Sequence, residues 1–289
     1  MKRIFAMILS GLFAALLLVG CGSQKLEYVV LDEALSDEEY AIGFRKEDQA
    51  LRDEVQRILV EMKKDGKLAE ITKAWFGKDT SCVPDSFTPA NATDDSLTKV
   101  KNKGEFILGL DDSFPPMGFN DKDGNIVGYD IDLAKEVCSR MGVTLKLQPI
   151  NWVTKEDELN QGNIDCIWNG LSVDPVRAEK MNLSEPYMNN RQVVVTLKSK
   201  NITKLADLKD KNAVVQKGST AVNALDSKAD IKASLKGGAA IEVANNVLAM
   251  YELKQGTSDV VIMDEVVARY YIEHLTELQE QAESAKDEK

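Results

Sequence analysis

The sequence predicts an α/β fold, in which short apolar strands alternate with amphipathic helices along most of the chain. Strand-like runs are separated by stretches long enough for a helix, which is typical of mainly parallel sheets flanked by helices. The strand-like runs lie at 27–31, 40–45, 106–108, 144–147, 164–168, 193–197, 213–216, 240–243 and 259–263. Apolar residues recur at helical spacing over 51–62, 68–75, 133–141, 245–255 and 264–274.

Two glycines and one polar stretch mark boundaries between these elements. Gly77 and Gly142 each follow the last apolar residue of a helical pattern, where a glycine commonly ends a helix. Residues 78–98 are rich in Ser, Thr, Asp, Asn and Pro and show little periodicity, so we predict a linker there. The last stretch, 276–289, is charged and has no apolar stripe, which predicts a polar tail.

The composition excludes several classes of protein. The chain has 289 residues, 44% of them hydrophobic, and 36 Lys+Arg against 47 Asp+Glu give a formal net charge of -11. Such a chain is long enough for one large domain or two lobes, and it is not collagen-like, disulfide-dense or largely disordered. An acidic chain without a basic stripe is also unsuited to sequence-independent nucleic-acid binding.

The N-terminus has the pattern of an export signal. Lys2 and Arg3 precede the apolar run 4–20, which is the length of a secretory signal peptide. The run ends in Leu18-Val19-Gly20-Cys21, which resembles the bacterial lipoprotein cleavage box. We therefore expect residues 1–20 to be removed and Cys21 to be lipidated, which would anchor the protein on the extracytoplasmic side of the cell membrane. An uncleaved N-terminal anchor helix is the alternative.

Cysteine and histidine usage limits the available chemistry. Cys82, Cys138 and Cys166 remain once Cys21 is set aside as the lipidation site, and an odd number leaves at least one thiol unpaired. Buried free thiols are favoured for Cys138 and Cys166, and a disulfide between them stays open. His274 is the only histidine, so we expect no Cys/His metal cluster and no histidine-assisted nucleophile. We predict neither a metal nor a cofactor.

Five short motifs follow one another between residues 110 and 221. They are LDDSFPP at 110–116, GYDIDLA at 128–134, NGLSVDPVR at 169–177, SEPY at 184–187 and QKGSTA at 216–221. In this order and spacing they resemble the type II periplasmic solute-binding proteins of polar amino-acid ABC transporters, bacterial extracellular solute-binding protein family 3. The resemblance implies a two-lobed periplasmic-binding-protein-like fold, each lobe a mainly parallel sheet flanked by helices.

One block is out of the family's order. The segment resembling 27–77 comes last in the family and first here, so we predict a circular permutant in which the linker 78–98 joins the family's old termini. Residues 21–35 would then begin lobe 2, 36–189 form lobe 1 and 190–275 complete lobe 2. The lobes would rock about connecting segments near 187–191 and 32–36. A separate small N-terminal domain is the alternative.

The resemblance also implies a set of carboxylate-binding residues. Arg177 would form a forked ion pair with the carboxylate of an amino acid. Ser172 and the backbone N–H of Gly170 would donate to it from the same lobe. From the opposite lobe the donors would be Thr220 and Ser219, following Gly218.

The remaining residues of the implied site would hold the rest of the ligand. Asp264 would accept the α-ammonium, and Phe114 and Trp152 would wall the side-chain pocket. Asp111 and Asn169 would set the polarity of that pocket. Taken without the resemblance, these positions have ordinary structural explanations, such as a helix N-cap for Asp264.

The resemblance predicts an amino-acid-binding lipoprotein that captures its ligand by closing two lobes around it. The carboxylates of Asp111, Asp112, Asp264 and Glu265, set against Arg177, favour a neutral polar or cationic amino acid over an acidic one. The expected partner is an ABC transporter permease, and we expect a monomer and no enzymatic activity. An amino-acid sensor and, less favoured, a dehydratase-like enzyme on the same fold are the alternatives.

Overall fold

The structure is a computed structural model that describes residues 26–274. The predicted signal peptide 1–20, the lipidation site Cys21 and the polar tail 276–289 lie outside the described residues. Between residues 26 and 274, every helix is too short or too polar to cross a membrane.

Thirteen strands and ten α-helices make up this part of the chain. The strands are β1 (Tyr28–Val30), β2 (Ser36–Phe44), β3 (Glu105–Leu110), β4 (Ser113–Phe114), β5 (Gly118–Asn120), β6 (Ile126–Val127), β7 (Thr144–Pro149), β8 (Cys166–Ser172), β9 (Asn182–Leu183), β10 (Met188–Leu197), β11 (Ala213–Gln216), β12 (Ile241–Val243) and β13 (Val260–Asp264). The helices are α1 (Gln49–Lys64), α2 (Lys67–Phe76), α3 (Ser96–Lys103), α4 (Tyr129–Met141), α5 (Lys155–Asn160), α6 (Pro175–Lys180), α7 (Thr220–Asp226), α8 (Ala229–Ser234), α9 (Asn246–Gln255) and α10 (Glu265–Glu273).

A single sheet runs through the whole molecule in the order β12-β11-β13-β10-β2-β8-β3-β7. Three parallel strands lie at each end: β8, β3 and β7 in lobe 1, and β12, β11 and β13 in lobe 2. The α/β fold class is therefore confirmed. The two lobes do not have separate sheets, however, because the antiparallel strands β2 and β10 join them.

Strand β10 belongs to both lobes. Its residues 188–192 pair with β2, and its residues 192–196 pair with β13. The segment between β1 and β2 runs alongside it, since the amides of Leu31 and Leu35 donate to the carbonyls of Val194 and Gln192 at 2.9 and 2.8 Å. Two chain segments thus pass between the lobes at the places expected for the connecting segments.

The core of lobe 1 is built from both sides of the linker. Helix α1 buries Leu51, Val55 and Ile58 in the same apolar cluster as Phe106 of β3 and Leu133 of α4. Burial of this shared apolar surface is what holds the early segment in place. Residues 36–76 therefore share a core with the helices and strands that follow the linker, and β2 lies inside the sheet between β8 and β10.

The linker is shorter than the sequence indicated, because α3 already begins at Ser96. Before it, the chain makes one isolated bridge between Ser81 and Met188. A small antiparallel sheet of β4, β5 and β6 was not expected; it turns through Gly124, whose φ of 79° suits a glycine. Cys82, Cys138 and Cys166 are free thiols.

Candidate functional site

A cleft opens between the lobes, near the carboxyl ends of the parallel strands. Its free volume is only about 10 Å³, because the side chains of the two lobes nearly fill it. Such strand ends are where open α/β sheets bind ligands. The cleft is lined by Asp111, Phe114, Trp152, Asn169, Gly170, Ser172, Arg177, Gln216, Ser219, Thr220 and Asp264. Every residue of the predicted site is in this set except Gly218, and Gln216 is an addition.

Arg177 is held in the cleft by the start of α6. Asp174 caps this helix by accepting from the amides of Val176 and Arg177, and Pro175 occupies its first turn. The Arg177 side chain is only 7% exposed. Its Nη1 donates to the Ser172 carbonyl at 2.9 Å and its Nη2 to the Gly218 carbonyl at 3.3 Å. The Arg177 guanidinium forms no ion pair with residues 26–274.

Burial also perturbs the Arg177 guanidinium electrostatically. Loss of water around the charge lowers the pKa of Arg177, against the opposing pull of nearby carboxylates such as Asp174 and Glu38. A buried cation whose hydrogen bonds go to neutral carbonyls is suited to an incoming anion.

Asp264 faces the same cleft from lobe 2. It precedes α10, yet its side chain makes no capping hydrogen bond. Its Oδ1 instead accepts from the Tyr40 hydroxyl and from Asn190 Nδ2, both at 2.7 Å. Burial, together with the neighbouring charge of Glu38, raises the pKa of Asp264 to about 7.

The two lobes touch across the cleft, so the structure describes a closed arrangement. The hydroxyl of Thr220 lies 3.0 Å from that of Ser172, and Gln216 Nε2 donates to Asp111 Oδ2 at 2.8 Å. Ser219 lines the cleft beside Thr220. Its neighbour Gly218 contributes a carbonyl oxygen to the lobe-to-lobe contact.

Aromatic and polar groups form the rest of the cleft wall. Phe114 and Trp152 are both nearly buried. The Nζ of Lys155 lies 5.0 Å from the Trp152 ring centroid, and burial lowers the pKa of Lys155 to about 8. Asn169 Oδ1 accepts from the Asp111 amide at 3.1 Å, whereas Asn169 Nδ2 has no partner within residues 26–274.

The expected donor role of the Gly170 amide is wrong. Its N–H donates to Asp130 Oδ2 at 2.8 Å, so it points away from an incoming carboxylate. Gly170 nevertheless has a local requirement for glycine, because its φ is 58° and an added Cβ would lie 2.8 Å from Phe114 Cε1.

Four residues that lie beneath the cleft lining and hydrogen-bond to it were not predicted from the sequence. We call Glu38, Tyr40, Asn190 and Gln192, which lie on the connecting strands β2 and β10, the cleft floor. Glu38 Oε2 accepts from Ser172 Oγ at 2.7 Å, Gln192 Nε2 at 3.0 Å, Thr220 Oγ1 at 3.1 Å and Asn190 Nδ2 at 3.4 Å. Alternate strand residues share a face, but the intervening Glu39 and Arg191 are polar too, so the sequence does not mark which face forms the floor.

This fold and cleft are those of a two-lobed solute-binding protein. The chain belongs to the bacterial extracellular solute-binding proteins, family 3, whose family model matches residues 7–78 and 106–234. The family predicted from the sequence is therefore confirmed.

Relatives of this chain bind different amino acids. The arginine-binding extracellular protein ArtP of Bacillus subtilis (strain 168) is 25% identical over 200 residues, covering 69% of this chain and 75% of the relative. The L-cystine-binding protein TcyJ of Escherichia coli (strain K12) is 31% identical over 124 residues, covering 42% of this chain and 47% of the relative. The match therefore spans about half the length of TcyJ.

A solved structure shares the fold. It is an ABC uptake transporter substrate binding protein from Streptococcus pneumoniae with bound histidine. It is 38% identical, with a TM-score of 0.62, and the comparison covers 63% of this chain and 74% of that one.

Proposed function

We propose that the protein captures a neutral polar or cationic amino acid between its lobes outside the cytoplasm and delivers it to an ABC transporter permease. One observation carries this proposal. Arg177 and Asp264, 7% and 4% exposed, line one cleft from opposite lobes, and no ion pair joins them.

Two buried, opposite and unpaired charges suit a zwitterion. The ligand's α-carboxylate would take the fork of Arg177, with the Thr220, Ser172 and Ser219 hydroxyls close by. Its α-ammonium would lie at Asp264. Each protein charge then gains a counter-charge that offsets part of its cost of burial. Because the two charges come from different lobes, binding also favours the closed arrangement.

The charge balance of the cleft supports a neutral or cationic side chain. Glu38, Asp111 and Asp264 supply three carboxylates, whereas Arg177 and Lys155 supply two cations. An acidic side chain would add a fourth carboxylate to a poorly solvated space. Arginine, cystine and histidine, named for the relatives above, are all compatible with this balance.

Isothermal titration with the twenty protein amino acids and L-cystine tests the proposal. We expect saturable binding of at least one neutral polar or cationic amino acid and none of aspartate or glutamate. Exclusive binding of the two acidic amino acids would refute the predicted specificity. A flat titration across the whole panel would refute the function.

Transport and anchoring extend the same proposal. We propose that Cys21 carries the lipid anchor, that the protein acts as a monomer and that it performs no chemical conversion of its ligand. The relatives described above are named as binding proteins, which supports transport over catalysis. Loss of ligand uptake on deletion of the gene would separate transport from sensing.

We also propose that the chain is a circular permutant with the lobe boundaries predicted from its sequence. Helix α10, which ends the described chain, packs against β1, which begins it. The family match falls into two blocks on either side of 79–105. Both observations support an ancestral connection between α10 and β1, with the linker joining the former termini.

A further inference from the structure

We propose that Glu38 is a second carboxylate of the amino-acid site and shares the ligand's α-ammonium with Asp264 at the cleft floor. This inference rests on the proposed function. It adds a residue of the connecting strand β2 to a site otherwise formed by the two lobes.

The pairing of the strands brings the two carboxylates together. Glu38 lies opposite Asn190, and Asp264 lies opposite Gln192, two residues further along β10. Asn190 Nδ2 is 2.7 Å from Asp264 Oδ1 and 3.4 Å from Glu38 Oε2. These distances place the two carboxylate oxygens no more than 6.1 Å apart. Two like charges so close, beside a buried floor, favour a cation between them.

The cleft floor also has more acceptors than donors. The Nδ2 of Asn190 and the Nε2 of Gln192 already donate to carboxylates. Their amide oxygens are buried and lack a hydrogen-bond partner in the described part of the chain. Asn190 and Gln192 are 5% and 0% exposed. An ammonium group has three N–H donors and no acceptor, so it complements this floor.

If Glu38 binds the ligand's ammonium, removing its charge should weaken binding. If Glu38 instead repels the ligand's carboxylate, removing its charge should tighten binding. Its Oε2 contacts the Ser172 and Thr220 hydroxyls, and it could compete there with the ligand's carboxylate. Removing the charge would then tighten binding. The unpartnered amide oxygens of Asn190 and Gln192 favour the ammonium role, because the ligand's carboxylate has no hydrogen to donate and would leave them unsatisfied.

The two carboxylates also make binding depend on pH. The charged and titratable groups around Asp264 are Glu38 and Tyr40 of β2 and Arg177 of α6, with Glu265 beside it paired to Arg191 and Arg269. Burial and the charge of Glu38 raise the pKa of Asp264 to about 7. Protonation of Asp264 removes its attraction for an ammonium, so affinity should fall below that pH.

The variant Glu38→Gln tests the proposal while keeping the size of the side chain. Its matched control is Glu39→Gln, because residue 39 is exposed and lies on the opposite face of the same strand. Each protein is titrated with the twenty protein amino acids and L-cystine, at several pH values from about 5 to about 8. A thermal melt checks that each variant is folded.

We expect Glu38→Gln to weaken binding of the amino acids that bind the unaltered protein by about tenfold or more. We also expect the acidic decline in affinity to begin at lower pH, because Asp264 loses a neighbouring negative charge. Glu39→Gln should retain the original affinity and pH profile. Unchanged or tighter binding by folded Glu38→Gln would overturn the inference and leave the proposed function intact. Failure of the unaltered protein to bind any of the panel would overturn both.

Discussion

The two lobes have similar sheets but different origins in the chain. In lobe 2, strands β10 to β13 come from one continuous run, 188–264, and only β1 is added from elsewhere. Lobe 1 combines two runs, 36–76 and 96–187, separated by the linker. Its core is nevertheless continuous, since α1, β3 and α4 share one apolar cluster. The same cluster also contains Val214, Val261 and Met263 of lobe 2, so apolar burial joins these segments whatever their order along the chain.

The lobes also contribute different charges to the cleft, since its lining cation, Arg177, comes from lobe 1 with Asp111, whereas lobe 2 contributes Asp264 alone. Lobe 1 supplies the Arg177 guanidinium and the aromatic walls Phe114 and Trp152, whereas lobe 2 supplies Asp264 and the Thr220 hydroxyl. The connecting strands between them supply the cleft floor. A zwitterionic ligand would therefore join the lobes in the way that the sheet already joins their backbones.

Deletion of residues 27–77 should have the largest effect, because it removes β2 from the middle of the sheet and α1 from the core of lobe 1. We expect the remaining chain to lose its cooperative thermal transition, measured by circular dichroism or calorimetry. A cooperative melt that survived the deletion would mean that this segment is a dispensable domain.

A chain with its segments reordered tests whether lobe 1 depends on the order of its two runs. Residues 26–77 placed after residue 274, with residues 78–98 kept at the new N-terminus, would restore the family's order. If the permutation is correct, this chain should fold and bind amino acids with unchanged affinity. An unfolded product would contradict the proposed ancestral connection between α10 and β1.

The sequence predicted the strands, helices and cleft walls better than the cleft floor. Most wall residues lie within short contiguous motifs at strand ends, and such motifs can be read directly from the sequence. The floor depends on the register between β2 and β10, which joins residues about 150 positions apart in the sequence. The Gly170 amide was misassigned for a similar reason, because its partner Asp130 lies on a distant helix.

The next largest effect is expected from Arg177→Ala, which tests the contribution of lobe 1 to the cleft. Loss of the buried guanidinium should cost roughly 2–5 kcal/mol of binding, about 30-fold or more in affinity. Folding should be largely retained, because its protein partners are two carbonyls. Arg57→Ala is the control, since that side chain is 49% exposed on α1. Original affinity in Arg177→Ala would refute the site assignment.

The smallest effect is expected from a substitution of Asp130, a buried carboxylate in lobe 1 that can be compared with Asp264 in lobe 2. Burial raises the pKa of Asp130 to about 7, as it does for Asp264. Asp130 has structural partners, because it accepts from the Gly170 amide at 2.8 Å and from the Tyr187 hydroxyl at 2.9 Å. Asp264 faces the cleft, where a ligand can change its surroundings. Asp130 should therefore affect mainly the pH dependence of stability.

The direction in which the unfolding free energy changes with pH follows from the raised pKa of Asp130. The folded state holds this proton more tightly than the unfolded state, so the contribution to stability is fully present below the unfolded value of 3.8 and is lost as pH rises through about 7. One such group changes the unfolding free energy by at most about 1.4 kcal/mol per pH unit. We expect Asp130→Asn to flatten the decline in unfolding free energy between about pH 5 and 7, measured by chemical denaturation. The exposed Asp123→Asn should keep the original slope. An equally steep slope in Asp130→Asn would show that this proton does not distinguish the folded from the unfolded state.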